Sequence, residues 1–181
     1  MVVKLSHCET VSTEAIPDKG LVVTVLATDR RNDTGLARPM VDEVVRRYGC
    51  APRRLLLDEG YALRADVEGL AHHPAGAVSV YMPPSSETPD AELAADALSA
   101  RAAKRAKEPQ AVKDWRARMR TEDAAAIFSR RKLIERIHAH YKNRGLGQLT
   151  LRGLAKAQAA ALWHALANNL MVAHRLRAQA A

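Results

Sequence analysis

One carboxylate, two cations and an aromatic ring recur at helical spacing in the stretch Phe128–Arg144, FSRRKLIERIHAHYKNR. Phe128 stands seven residues before Glu135, Arg131 four before it, and Lys142 seven after it. Seven residues are close to two α-helical turns, so on one continuous helix all four side chains share a stripe. An acid among cations suits two tasks. It can hold a divalent metal while its neighbours meet phosphates, or it can pair with Arg131 at i, i+4 on the surface for roughly a few tenths of a kcal/mol. Asp58 is the second acid with a defined setting. Arg54–Leu57 reads as a short buried strand that ends on it, Glu59-Gly60-Tyr61 turn the chain, and Ala62–His72 reads as a helix. The carboxyl ends of strands in open α/β sheets are where sites form. Gly60 lets the backbone turn sharply beside the acid. The plainer role for Asp58 is to cap the helix that follows.

The helix that must carry Glu135 contains neither Gly nor Pro between Thr121 and Asn143, which predicts an unbroken element. Ile127, Ile134 and Tyr141 form a second stripe about a quarter-turn away that would face a core. Before it, Pro109 opens a helical tract with Trp115 and Met119 as its buried residues. This tract either runs into the Glu135 helix or breaks near Thr121-Glu122.

The order aromatic, two residues, Arg, three residues, Glu, six residues, Lys resembles a motif of the DDE transposases of bacterial insertion sequences. That family usually has Tyr where this chain has Phe128. Asn143-Arg144-Gly145-Leu146 and Leu151-Arg152-Gly153-Leu154-Ala155-Lys156 are similar to its C-terminal end, and the strand–Asp58–Gly60–aromatic–helix unit is a further point of likeness. The resemblance spans about Pro17 to Arg177. It implies a ribonuclease-H-like α/β fold, a mixed sheet flanked by helices. It implies Asp58 and Glu135 as catalytic, metal-binding carboxylates, and Arg131, Lys142 and Arg144 as contacts to DNA. The implied chemistry is metal-dependent phosphoryl transfer, with Mg2+ or Mn2+ on oxygen ligands, for DNA strand cleavage and strand transfer.

The chain departs from that pattern near its start. The first Asp of such a triad lies on the fold's first strand, well ahead of the strand read at Leu21, and the nearest candidate, Asp18, sits in a turn by composition. The family's end-binding N-terminal region is expected to be missing as well. The expectation is therefore one partial catalytic domain over residues 1–181, N-terminally truncated, with an incomplete triad and a variable Ala-rich insertion at about 84–111. The competing expectation is a non-catalytic basic DNA-binding or self-association module, in which the Ala-rich tract serves a homodimer.

Composition favours a polyanionic partner. The 181 residues carry a formal charge of +8, and the sequence pI is about 9.9. Cys8 and Cys50 form neither a disulfide framework nor a zinc spacing. There is no apolar run of about 18 residues and no secretory h-region in MVVKLSHCE, so a cytoplasmic, nucleoid-associated setting is expected.

The remaining elements follow from pattern. Leu21–Ala27 is a β-branched strand that pairs with Val11–Ile16 in a hairpin around Asp18. Asp33 caps a helix reaching Tyr48 with Met40, Val41, Val44 and Val45 inward, and Gly49 stops it. Gly76–Met82 is another strand. Glu87–Glu108 is an exposed helix or a loosely ordered insertion. Thr150 caps a last helix over about Leu151–Gln179, apolar nearly all round and so buried at its middle, with Asn168 and Asn169 needing hydrogen-bond partners. Trp115 and Trp163 are expected in the core. His138 sits near the Glu135 stripe, and His72 ends a helix.

Overall fold

Two apolar runs, around Leu21 and around Leu55, each become one side of a small strand pair. The computed structural model describes residues 4–6, 20–28, 34–59, 63–84, 92, 94–146 and 152–180. Strand β1 (Lys4–Ser6) pairs antiparallel with β2 (Leu26–Thr28), with Leu5 opposite Ala27. Strand β3 (Arg54–Leu56) pairs parallel with β4 (Ser79–Tyr81), with Leu55 opposite Val80. The chain is thus mixed α/β and mostly helical. Among the described residues the strands form two separate pairs in place of the single central mixed sheet expected from the resemblance. Val11–Ile16 and Asp18 lie outside the described residues. The strand that does pair with the Leu21 run is Lys4–Ser6, and the ladder takes only the end of that run.

The main core forms on one face of the β3–β4 pair. Leu55, Leu57, Val78, Val80 and Met82 alternate towards it, as the twofold period of a strand requires. Helices α1 (Ala37–Tyr48), α2 (Arg64–Ala71) and α4 (Gln110–Arg118) cover that face. They bring Met40, Val41 and Val44, then Val67 and Leu70, then Val112 and Trp115. Helix α1 ends as its sequence predicts. Gly49 takes φ 75° and donates its N–H to the Val45 carbonyl at 2.8 Å. Its N-cap position is Leu36, without a side-chain capping bond, and Asp33 lies outside the described residues. His73, buried after α2, accepts the Ala75 N–H on Nδ1. Nε2 must then carry the proton that meets Asp42 at 3.0 Å, which ties the end of α2 to α1.

Helix α3 (Ala95–Ala106) has no buried residue, as an exposed Ala-rich tract should. Helices α5 (Glu122–Ser129) and α6 (Lys132–Tyr141) follow α4, and Lys142–Leu146 continues as a π-helical segment that opens at Arg144 and Gly145. The single helix expected from Thr121 to Asn143 is therefore two. The Arg130 and Arg131 N–H groups bond back three residues, to Ile127 and Phe128 at 3.1 and 3.0 Å, and this tight turn ends α5 without Gly or Pro.

Helix α7 (Leu154–Ala180) corrects a second expectation. Its buried stripe is Ala157, Ala161, Ala165, Asn168 and Val172, while Leu162, Leu166, Leu170 and Met171 stay exposed and Trp163 is 71% exposed. The reason is a set of side-chain amides that grip the backbone of residues 20–27. Asn169 accepts the Val22 N–H and donates to the Val22 carbonyl, both at 2.8 Å. Gln158 accepts from Ala27 at 2.6 Å and donates to the Val25 carbonyl at 2.8 Å, and Asn168 donates to the Gly20 carbonyl at 2.8 Å. Amides this short reach the strand only where small residues let the helix approach closely. Alanines therefore face inward and the larger side chains turn out. Asn168 and Asn169 have the partners their setting demands, whereas Trp163 is not a core residue.

A second cluster joins Val22 and Val25 to Ile137 and Tyr141 of α6 and to Ala161 and Ala165 of α7. Burial pushes the Tyr141 phenol from its ordinary 10.0 up to about 12. The neutral phenol is thus favoured in the folded state. The contribution of Tyr141 to stability is fully present below pH 10 and is lost as pH rises towards about 12, because the unfolded chain ionises first. Tyr141→Phe should remove that alkaline decline, read as the melting temperature of both proteins across this range.

Candidate active site

The unit that mounts Asp58 is the parallel β3–β4 pair. Its ladder runs one residue past β3, because the Leu57 N–H donates to the Tyr81 carbonyl at 2.9 Å, and Asp58 follows at the carboxyl end. Asp58 is not the cap of α2. That helix starts after Leu63, which makes no side-chain capping bond. Leu56 and Tyr81 point away from the main core and meet Ala124, with Met119, Ile127 and Phe128 packed around them. Helix α5 thus lies on the second face of the same strand pair. Its start is fixed by Thr121, whose Oγ1 accepts the Ala124 N–H at 3.2 Å, with Glu122 and Asp123 in the favourable first turn. On this side Arg118 donates to the Val80 carbonyl at 3.1 Å and lies over the Tyr81 ring.

Since α5 is held against Leu56 and Tyr81, the turn that ends it is held near the end of β3. Arg131 occupies that turn. Its Nη1 lies 3.1 Å from Asp58 Oδ2 and its Nη2 lies 2.8 Å from Glu135 Oε1. Its guanidinium also sits over the Phe128 ring, 5.4 Å from the centroid. Two carboxylates far apart in the chain therefore share one guanidinium. The i, i+4 ion pair open to Arg131 and Glu135 on spacing alone is formed, and the other arm of the same side chain reaches Asp58. The acids are open to solvent, Asp58 at 62% and Glu135 at 55%, while Arg131 between them is 25% exposed.

Lys142 and Arg144 lie exposed in the segment after α6. The side chains of Ile134 and His138, together with Gly60 and Thr150, fall outside the described residues. The contact the sequence does not reveal is the one from Arg131 to Asp58, because 73 positions separate the two residues. Its signal was the Arg itself, the one cation of the stripe within a single turn of Glu135.

Two carboxylates meet here about one cation, and carboxylate oxygens are the donors that a hard divalent ion takes. Among the described residues no group of three or more His, Cys, Asp or Glu could hold a metal. No described helix is long and apolar enough to cross a membrane. No curated protein and no solved structure matches the chain. Residues 15–170 match the family model described as the transposase DDE domain, so the chain belongs to that family of transposases.

Proposed function

We propose that the chain is the catalytic domain of a DNA transposase, ribonuclease-H-like in fold, and that Asp58 and Glu135 are two of its metal-ligating carboxylates. Residues 1–181 form one domain with an insertion at about 84–111. The observation that carries this reading is the meeting of Asp58 and Glu135 on Arg131, at the carboxyl end of β3, in a chain of this family. A bound Mg2+ or Mn2+ would assist in-line displacement at a DNA phosphate by activating the attacking oxygen and stabilising the leaving one. Asp58 and Glu135 would hold the ion through carboxylate oxygens. Lys142 and Arg144 would bind the DNA backbone and supply salt-dependent affinity without reading sequence.

The test is ferrous iron in place of magnesium. With ascorbate and peroxide, iron bound at the site should cut the polypeptide near residues 58 and 135. Mg2+ or Mn2+ should suppress the cuts, and Asp58→Asn or Glu135→Gln should abolish them. Cuts elsewhere, or cuts indifferent to both substitutions, would rule the centre out. With two ligands, cleavage of end DNA in Mn2+ should be slight. Robust cleavage lost in Asp58→Ala would mean that a third ligand is supplied from outside the described residues.

The +8 charge favours one alternative, a non-catalytic DNA-binding or self-associating module. Such a module would hold duplex DNA equally well in a chelator, and Glu135→Ala would leave that affinity unchanged or raise it.

A further inference from the structure

We propose that Arg131 is a built-in counter-ion which a divalent cation must displace before Asp58 and Glu135 can ligate it. The inference rests on the reading of those two acids as metal ligands. Arg131 spends one nitrogen on each carboxylate, at 3.1 and 2.8 Å, so its positive charge stands between the oxygens that would turn towards a metal. Both acids are more than half exposed, so water screens each contact, yet the shared guanidinium still offsets the repulsion between the two acids.

The guanidinium is also seated. It rests over Phe128 and is less exposed than either of its anions. The backbone beneath it is fixed by the Arg131 N–H bond to the Phe128 carbonyl, so the side chain can leave by rotation without unwinding α5 or α6. Arg130 and Lys132 flank it in sequence and are exposed, which keeps the surroundings cationic when it moves. A divalent ion and the guanidinium carry like charge and compete for the same two carboxylates. The coupling between them is therefore negative, and removing the arginine should tighten metal binding by about 5- to 150-fold, the usual range for coupled sites.

The experiment is titration of the whole chain with Mn2+, following free ion by electron paramagnetic resonance, alongside thermal melting with and without Mn2+. Arg131→Gln should bind Mn2+ more tightly than the parent by the factor above. Its metal-free form should melt lower than the parent, and Mn2+ should raise its melting temperature by more. Arg131→Lys keeps the charge without the fork and should bind with intermediate affinity, which also serves if the Gln variant folds poorly. Asp58→Asn and Glu135→Gln mark the site. If Arg131→Gln binds Mn2+ equally or more weakly while Asp58→Asn still abolishes binding, the displacement idea is overturned and the metal centre stands. If no binding in any variant depends on Asp58 or Glu135, the metal centre fails and the displacement idea with it.

Discussion

Trp115→Ala is expected to cost the fold about 3–5 kcal/mol, the range for removing a large aromatic side chain from a packed core. Trp115 is 3% exposed and belongs to the cluster that joins α1, α2 and α4 to the β3–β4 pair. It also donates its indole N–H to the Met82 carbonyl at 3.1 Å, just past the end of β4. The two contributions separate. Trp115→Phe keeps much of the packing but leaves that buried carbonyl without its donor, and should cost about 1–3 kcal/mol. Urea unfolding of the three proteins, with unchanged slopes, measures both steps. The effect reaches the site, because the Tyr81 carbonyl on β4 holds the Leu57 N–H and Asp58 is the next residue. A cost for the alanine variant below about 1 kcal/mol would contradict the packing given for α4.

Where local chemistry decides the structure, the sequence was readable. Leu55–Leu57 is a run of leucines followed by an acid, and β3 delivers Asp58 beyond its carboxyl end. Gly49 is the one residue near Tyr48 that adopts φ 75° at no steric cost, and it closes α1. Phe128, Arg131 and Glu135 do come together, through contacts that span one helical turn or less.

Where tertiary contacts decide, the local pattern does not carry the outcome. No residue between Phe128 and Lys132 forbids a helix. The chain bends there because Ile127 and Phe128 are committed to the Leu56–Tyr81 face while α6 turns towards Val22 and Val25. Helix α7 offers large apolar side chains on several faces, so its pattern predicts burial nearly all round. The structure picks the alanine stripe, because Gln158 and Asn169 must reach a backbone. Strand β2 is short for a related reason. The backbone groups of Val22 and Val25 are bonded to amides on α7, which does for them what a neighbouring strand would otherwise do.

Glu108 shows the same limit and supports the other large prediction. By composition it closes an exposed, charged, Ala-rich tract, yet its side chain is only 4% exposed. It lies between α3 and α4, where Arg116 grips it with two nitrogens at 3.0 and 3.2 Å and Arg64 of α2 adds a third contact at 2.9 Å. The partners differ in setting, since the Arg116 side chain is 13% exposed and that of Arg64 is 44% exposed. Removing one member of a buried pair strands the other charge away from water, whereas an exposed partner is readily replaced by solvent. Arg116→Ala should therefore cost about 3–5 kcal/mol, and Arg64→Ala no more than about 1 kcal/mol. Replacing Glu108 and Arg116 together by Met removes both charges and keeps much of the volume. That double variant should recover most of the loss and could match the parent, because the attraction in a buried pair is largely offset by the cost of drying two ions. Denaturant midpoints for the four proteins test the ordering. If Arg116→Ala were as mild as Arg64→Ala, Glu108 would have to be reached by water, and the start of α4 would be held by Val112 and Trp115 alone.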